Sequence, residues 1–180
     1  KPLAEDVKLD VLAKTTAGFS GADLENLTNE AALLTARRNK KTIGMSEFED
    51  AIIKVIAGPE KKTRKRTKKD KELTAYHEAG HAVLSHVLPH MDPVHQISII
   101  PSGMALGYTL NIPAEDKYSV YKNELKERIM MLLGGRAAEE IVYGDVSGGA
   151  SNDIMRATQT ARKMVTELGM SDVIGNIRLG

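Results

Sequence analysis

Two histidines four residues apart, with a glutamate directly after the first, constrain the fold of this chain more than any other feature. They form the segment His77-Glu78-Ala79-Gly80-His81. In an α-helix, residues at this spacing lie on one face about one turn apart, so both imidazoles can reach the same ion. The apolar residues Ala82, Val83 and Leu84 supply a packing side, and the pattern predicts a helix over residues 72–87.

Gly80 is an unusual residue for the interior of that helix. Glycine costs a helix about 1 kcal/mol relative to alanine. This cost is most easily tolerated where something must approach the backbone closely. We therefore expect a close approach to the helix at Gly80.

The same segment predicts a hydrolytic metal site. Histidine is a common zinc ligand, and zinc lowers the pKa of a bound water toward about 7. A neighbouring carboxylate can then take a proton from that water as it attacks a peptide carbonyl, and pass it to the leaving amine. We predict that His77 and His81 bind the metal and that Glu78 is the general base. The alternative is an ordinary helix that happens to carry two histidines.

A catalytic zinc usually has three protein ligands and one open position. The sequence contains no cysteine, so the third ligand must be a histidine or a carboxylate. Glu139 and Glu140 lie in a predicted helix, and Asp153 lies at the start of the last predicted helix, after a small-residue loop. Spacing alone does not choose among these three carboxylates. We expect surface or structural positions for the remaining histidines, which are His86, His90 and His95.

Charge and hydropathy exclude several classes of function. The formal net charge is +1, which argues against nucleic acid as the main partner. No apolar run approaches the roughly 20 residues that span a bilayer. A basic run at residues 61–71 lacks interleaved aromatic residues, so we interpret it as a solvated linker. A patch for nucleic acid or acidic lipid is the alternative interpretation of this run.

The remaining periodicities predict a mainly α-helical (α+β) chain in two domains. Residues 1–58 form a small helical domain, in which Ser20 is placed to cap a helix and the segment 46–49 to open another. Residues 59–70 form the charged linker. Residues 71–180 form a mostly helical domain with a small β-sheet, truncated at its carboxyl end. We expect the chain to be a fragment cut from a longer protein.

Within the second domain, residues 96–100 and 108–112 are predicted as strands. A long helix is predicted from about Val120, interrupted at Gly134-Gly135. The last predicted helix covers residues 152–168.

Several motifs together resemble the FtsH family of membrane-anchored, ATP-dependent zinc proteases, over essentially the whole chain. Toward the amino terminus, the segment 18–24 (GFSGADL) is similar to the lid of an AAA ATPase. The motifs of the second domain are AYHEAGHA at 75–82, ISIIP at 97–101, ALGYT at 105–109, LGGRAAEE at 133–140 and GASND at 149–153.

This resemblance implies a metal site and its surroundings. The third zinc ligand would be Asp153, and Glu139 or Glu140 would orient a ligand imidazole. Gly21 and Ala22 would pack beside the adenine of ATP in the intact protein. ATP and Mg²⁺ would bind only there, because this chain has no phosphate-binding loop, and we expect no ATPase activity from the fragment itself.

The resemblance also implies the setting of the parent protein. It would be a homo-hexamer anchored in a bacterial or organellar inner membrane, with this soluble region on the cytoplasmic, matrix or stromal side. Its substrates would be unfolded, misfolded or membrane proteins. An edge strand at residues 105–112 would pair with an extended substrate, and an ordinary core strand is the alternative.

Two rival functions belong to other classes. One is a non-catalytic oligomerisation or interaction module, in which the metal only stabilises the fold. The other is a nucleic-acid adaptor that uses the basic run.

Overall fold

A computed structural model describes residues 1–58, 66–101, 106–111 and 119–179. These residues fall in two compact units, one of residues 1–58 and 100–101 and one of residues 66–99, 106–111 and 119–179. Six α-helices and one two-stranded antiparallel sheet are found in the described part of the chain, so the predicted mainly α fold is confirmed.

The first unit contains three helices, α1 (Leu9–Thr15), α2 (Gly21–Arg37) and α3 (Met45–Ala57). Ser20 caps α2 as predicted: its hydroxyl accepts from the Asp23 amide at 3.3 Å, and the Asp23 carboxylate accepts from the Ser20 amide at 2.9 Å. The core of this unit consists of buried apolar side chains: Leu12, Leu27, Ala31, Ile43, Phe48, Ala51 and Ile52.

The start of α3 differs from the prediction. The helix begins at Met45 with Gly44 in the capping position, whereas the sequence pattern had placed the start at Ser46. Glu47 explains the difference, because its carboxylate accepts from the Gly44 amide at 3.1 Å. Glu47 is therefore the residue whose side chain caps the backbone at the start of α3.

In the described residues, the second unit consists of three helices, one short turn and a two-stranded sheet. In chain order they are α4 (Lys68–Val87), β1 (Val94–Ser98), β2 (Tyr108–Asn111), α5 (Lys122–Tyr143), a 3-10 turn (Gly148–Ala150) and α6 (Ser151–Thr166). Helix α5 packs against both α4 and α6, and the sheet packs on α4. Helix α4 begins at Lys68, four residues before the predicted start.

Helices α4 and α5 cross at glycines. A Cβ atom added to Gly80 would lie 2.3 Å from the Gly134 carbonyl oxygen, and one added to Gly135 would lie 2.6 Å from the His77 ring. The close approach expected at Gly80 is therefore confirmed. The predicted interruption at Gly134-Gly135 is wrong, because α5 continues through both glycines, which allow the helices to approach.

The two strands pair in antiparallel register, with Ile97 opposite Thr109 and Ser98 opposite Tyr108. They are a little displaced from the predicted 96–100 and 108–112, and Ile112 lies outside the described residues. Arg66 joins the strand ends to α4. Its guanidinium donates to the carbonyls of Ile99 (2.8 Å) and Leu106 (3.0 Å), next to the two strands, and to that of Asp70 in α4 (2.8 Å).

Residues 61–65 of the basic run lie outside the described residues, which resume at Arg66, and residues 68–71 of the run belong to α4. The predicted linker boundaries and domain limits therefore stay predictions. In the part of the chain that the structure describes, no helix combines the length and apolar content needed to cross a membrane.

Candidate active site

His77, His81 and Asp153 meet at one point between α4 and α6. The two Nε2 atoms are 3.1 Å apart, and Oδ2 of Asp153 lies 3.3 Å from Nε2 of His77 and 3.4 Å from Nε2 of His81. Only 12%, 9% and 18% of these three side chains are exposed, so the cluster is shielded but still reaches solvent.

The other nitrogen of each imidazole has a partner that fixes its proton. Nδ1–H of His77 donates to the Glu139 carboxylate at 2.7 Å, and Nδ1–H of His81 donates to the Met131 carbonyl at 2.8 Å. A neutral imidazole protonated on Nδ1 carries a lone pair on Nε2. Two imidazole lone pairs and a carboxylate oxygen therefore face one another.

This triangle of acceptor atoms fits a small tetrahedral cation. Zinc bonds to nitrogen and carboxylate oxygen measure about 2.0–2.2 Å, which separates neighbouring ligand atoms by about 3.3–3.5 Å. The three observed separations, 3.1, 3.3 and 3.4 Å, are close to that value. Among the described residues, His77, His81 and Asp153 are the group of histidine and acidic side chains whose ligand atoms lie close enough together to hold a metal ion.

The charges around the cluster favour an ionised Asp153. Burial opposes its ionisation. When His77 or His81 is protonated at Nε2 as well as at Nδ1, its hydrogen bond to Asp153 outweighs burial and holds the pKa of Asp153 well below its usual range. Burial also opposes charge on His77, whereas its bonds to Asp153 and Glu139 raise the pKa of His77 overall. An ionised Asp153 thus favours a positive charge beside it, carried either by a protonated imidazole or by a metal cation.

Glu139 and Glu140 are neighbours in sequence with different surroundings. Glu139 is 1% exposed and accepts from His77 and from the amide (2.6 Å) and hydroxyl (3.1 Å) of Ser147. Burial opposes ionisation, yet these hydrogen bonds lower the pKa of Glu139. Glu140, the next residue of α5, is exposed. Glu139 therefore contacts the His77 imidazole, whereas Glu140 makes no contact with it that would orient the ring.

Ser147 connects Glu139 to the turn that leads into α6. Its hydroxyl also accepts from the Gly149 amide at 3.1 Å, and its carbonyl accepts from Arg136 at 3.3 Å. Asp153 lies in the first turn of α6, directly after this turn. One chain of hydrogen bonds thus runs from the His77 ring to the start of the helix that carries Asp153.

Glu78 lies beside the cluster and is 7% exposed. Its Oε2 accepts from the Thr109 hydroxyl at 2.8 Å. Burial raises the pKa of Glu78, and the Thr109 bond and the nearby histidines oppose that rise. A carboxylate with a raised pKa is a better proton acceptor at neutral pH.

The other predicted residues lie apart from this cluster. Gly21 and Ala22 form the first turn of α2 in the first unit, where both are exposed. His86 and His95 are exposed, and His90 bonds through Nδ1 to the Glu127 carboxylate at 2.7 Å.

Sequence reasoning missed three contributors to the site: the Met131 carbonyl, Ser147 and Thr109. No side-chain pattern marks a backbone carbonyl, and threonine is ordinary in a strand. Only the fold brings these groups to the histidines and to Glu78.

Comparison with known sequences agrees with this geometry. The model of peptidase family M41 matches residues 64–180, which is more than half of the chain, and the AAA+ lid domain model matches residues 6–50. The chain belongs to peptidase family M41. The FtsH resemblance found in the sequence is thereby confirmed.

Curated members of the FtsH family are similar over the entire chain. ATP-dependent zinc metalloprotease FtsH 3 of Symbiobacterium thermophilum is 60% identical over 181 residues, covering 100% of this chain and 29% of the relative. ATP-dependent zinc metalloprotease FtsH of Thermotoga maritima is also 60% identical, covering 100% of this chain and 30% of the relative. The chain thus spans less than a third of the length of these M41 relatives.

Proposed function

We propose that this chain is the zinc-dependent endopeptidase region of an FtsH-type protease, together with its AAA lid. His77, His81 and Asp153 hold the metal and Glu78 is the general base. The observation that carries the proposal is the convergence of two imidazole Nε2 atoms and a carboxylate oxygen, 3.1–3.4 Å apart, beside a buried carboxylate.

Zinc is the metal that the donor set fits best. Two imidazoles and one carboxylate are a ligand set of catalytic zinc sites, which leave one position open. When bound, zinc would acidify water and polarise a peptide carbonyl. The names of the two relatives, both zinc metalloproteases, support the same choice.

Other residues of the chain orient the two histidines and transfer the proton. Glu139 keeps the Nδ1 proton of His77 in place, so that Nε2 stays free to bind, and the Met131 carbonyl does the same for His81. Glu78 takes a proton from the attacking water and returns it to the leaving amine. Its buried position lets a neutral carboxyl group persist long enough for that return.

The substrate is a polypeptide in extended form, which pairs with β2. Thr109 of β2 contacts Glu78, so a peptide lying along this strand would pass the general base. Backbone pairing gives affinity with little sequence preference. This suits a protease that degrades unfolded chains.

Amide exchange tests the pairing. A peptide added to the non-cleaving variant Glu78→Gln should slow exchange of the amides at 108–111, and unchanged exchange would argue against the pairing. Substitution of Gly107, next to β2, is a poor test of the pairing because it would disturb the strands and the general base directly. A Cβ atom there would lie 2.7 Å from the Ser98 carbonyl oxygen and 2.8 Å from Glu78 Oε1.

The intact protein would unfold its substrates with ATP and assemble as a membrane-anchored homo-hexamer, with Gly21 and Ala22 beside the adenine. The lid match and the relatives' description as ATP-dependent support the nucleotide requirement. This chain would contribute the peptidase ring.

Zinc content and casein cleavage, measured side by side, test the proposal. Asp153→Ala should lose both the zinc and the activity with its helical content intact, whereas Asp145→Ala, an exposed aspartate in the same unit, should lose neither. Glu78→Gln should keep zinc and lose cleavage, with Glu140→Gln as its matched control. Retention of zinc by Asp153→Ala, or full cleavage by Glu78→Gln, would contradict the proposal.

A further inference from the structure

The side chain of Glu78 is held by the sheet as well as by its own helix. The Thr109 hydroxyl lies 2.8 Å from Glu78 Oε2 and 3.1 Å from the Glu78 backbone oxygen. A hydroxyl has one proton to donate, and the shorter contact directs it to the carboxylate. Thr109 is paired with Ile97 in β1, so the donor belongs to an ordered strand.

Gly107 limits the other side of the same carboxylate. A Cβ atom at this position would lie 2.8 Å from Glu78 Oε1. Residues two apart in an extended chain lie on the same face, so Gly107 and Thr109 both face α4. One carboxylate oxygen therefore accepts a hydrogen bond from β2, and the other lies against glycine backbone.

The hydroxyl at this position is not explained by strand formation. Valine has the shape of threonine and is at least as favourable in a strand. What threonine adds is a donor, and in the buried surroundings of Glu78 that donor satisfies a charged acceptor.

We propose that Thr109 is a positioning residue for the general base. Its hydroxyl selects one arrangement of the Glu78 side chain and so fixes where the carboxylate meets the attacking water. A displacement of about 1 Å at a reacting group can cost about 100-fold in rate. The inference rests on the proposed function, since it assigns Thr109 a role through Glu78.

The test compares Thr109→Val, which removes the hydroxyl and keeps the shape, with Thr109→Ser, which keeps the hydroxyl. Thr109→Val should lower kcat for a peptide substrate about 10- to 100-fold, with KM within about twofold of wild type. Thr109→Ser should stay within about threefold in kcat. Thr160→Val is the control, because it removes a hydroxyl from α6 that donates to the Arg156 carbonyl, away from the site.

Two measurements do not depend on activity. Zinc content and zinc affinity of Thr109→Val should equal those of wild type, because neither Thr109 nor Glu78, which it contacts, is a proposed metal ligand. A crystal structure of this variant should show the Glu78 carboxylate moved from its wild-type position. If Thr109→Val does not fold, Thr109→Ala is judged by the same criteria.

The outcomes separate this inference from the proposed function. An inactive Glu78→Gln together with a fully active Thr109→Val would overturn the inference alone, and so would loss of zinc from Thr109→Val. Full activity of Glu78→Gln would instead overturn the proposed function. A further check is the double variant: because Thr109 acts through Glu78, Thr109→Val should not slow Glu78→Gln further.

Discussion

At the scale of single residues, Glu139 and Glu140 show how a step of one residue along a helix separates two roles. Glu139 is buried against His77 and Ser147, whereas Glu140 is exposed. A carboxylate that holds the far nitrogen of a ligand imidazole contributes to metal affinity without touching the metal. The two residues therefore form a matched pair for testing this contribution.

We expect Glu139→Gln to weaken zinc binding about 10- to 100-fold, because the amide cannot hold the Nδ1 proton and both Ser147 donors as a carboxylate does. Competition with a chromogenic chelator measures the affinity. Glu140→Gln should bind zinc as wild type does. Equal affinities for the two variants would show that Glu139 serves only the packing of α5.

Glu47 makes a second residue-scale prediction, in the first unit. Hydrogen bonds from Lys40 and Arg38 lower its pKa to about 2, although burial opposes the change. A carboxyl group whose pKa is lowered by folding stabilises the folded state at pH values above the pKa that the same group has in the unfolded chain. That stability is lost as the pH falls from about 4.5 toward about 2.

The free energy of unfolding of the first unit should therefore fall between pH 5 and pH 2.5, and Glu47→Gln should flatten that dependence. Urea unfolding at a series of pH values, followed in the first unit by amide signals, measures it. Glu49→Gln, an exposed neighbour on α3, should keep the wild-type dependence. A wild-type slope in Glu47→Gln would assign the acid sensitivity to other carboxylates.

The residues that bear the proposed chemistry could be found from the sequence, but their supports could not. His77, Glu78 and His81 are marked by spacing on one helix. Asp153 was selected only by family resemblance, since Glu139 and Glu140 fit the spacing argument equally well. Ser147 and Thr109 become visible only when distant segments meet, because neither spacing nor composition reports a contact across the fold.

At the scale of elements, the crossing of α4 and α5 determines whether the site can form. His77 and His81 are on α4, and the groups that accept their Nδ1 protons, Glu139 and the Met131 carbonyl, are on α5. The helices approach through Gly80 and Gly134. An increase in their separation would break both Nδ1 hydrogen bonds together.

We expect Gly80→Ala to destabilise the second unit by about 1–3 kcal/mol and to lower zinc affinity, because its Cβ would lie 2.3 Å from the Gly134 backbone oxygen. Thermal unfolding and metal titration measure the two effects. Gly148→Ala is the control, since a Cβ atom there meets nothing within 4 Å. Normal zinc affinity in a destabilised Gly80→Ala would show that the crossing can relax without moving the ligands.

The glycines also show where local rules fail at this scale. Gly134-Gly135 lowers helix propensity, and a local argument therefore predicted an interruption. Tertiary packing keeps the helix continuous at these glycines, because their lack of a side chain leaves space for Gly80 and the His77 ring. The strands were located within two residues, and the described start of α4 lies earlier than its apolar pattern because Thr67 and Asp70 cap it.

At the scale of the whole molecule, the two compact units have separate means of stabilisation. The first has an apolar core and the buried Glu47. The second brings two histidines and an ionised aspartate together, an arrangement that a bound cation would hold in place. Metal binding should therefore stabilise the second unit in particular.

A ligand that binds only the folded state at 100 times its Kd adds about 2.7 kcal/mol to the free energy of unfolding, a factor of about 100 in the opening equilibrium. Removal of zinc from the loaded chain should therefore speed amide exchange about 100-fold at buried positions of the second unit, such as Leu132 and Ala157. Exchange at Ala31 and Ala51 in the first unit should not change. Asp153→Ala should show no response to zinc in either unit. Equal acceleration in both units would mean that they unfold as one cooperative body, and the binding free energy would then stabilise the lid as much as the peptidase unit.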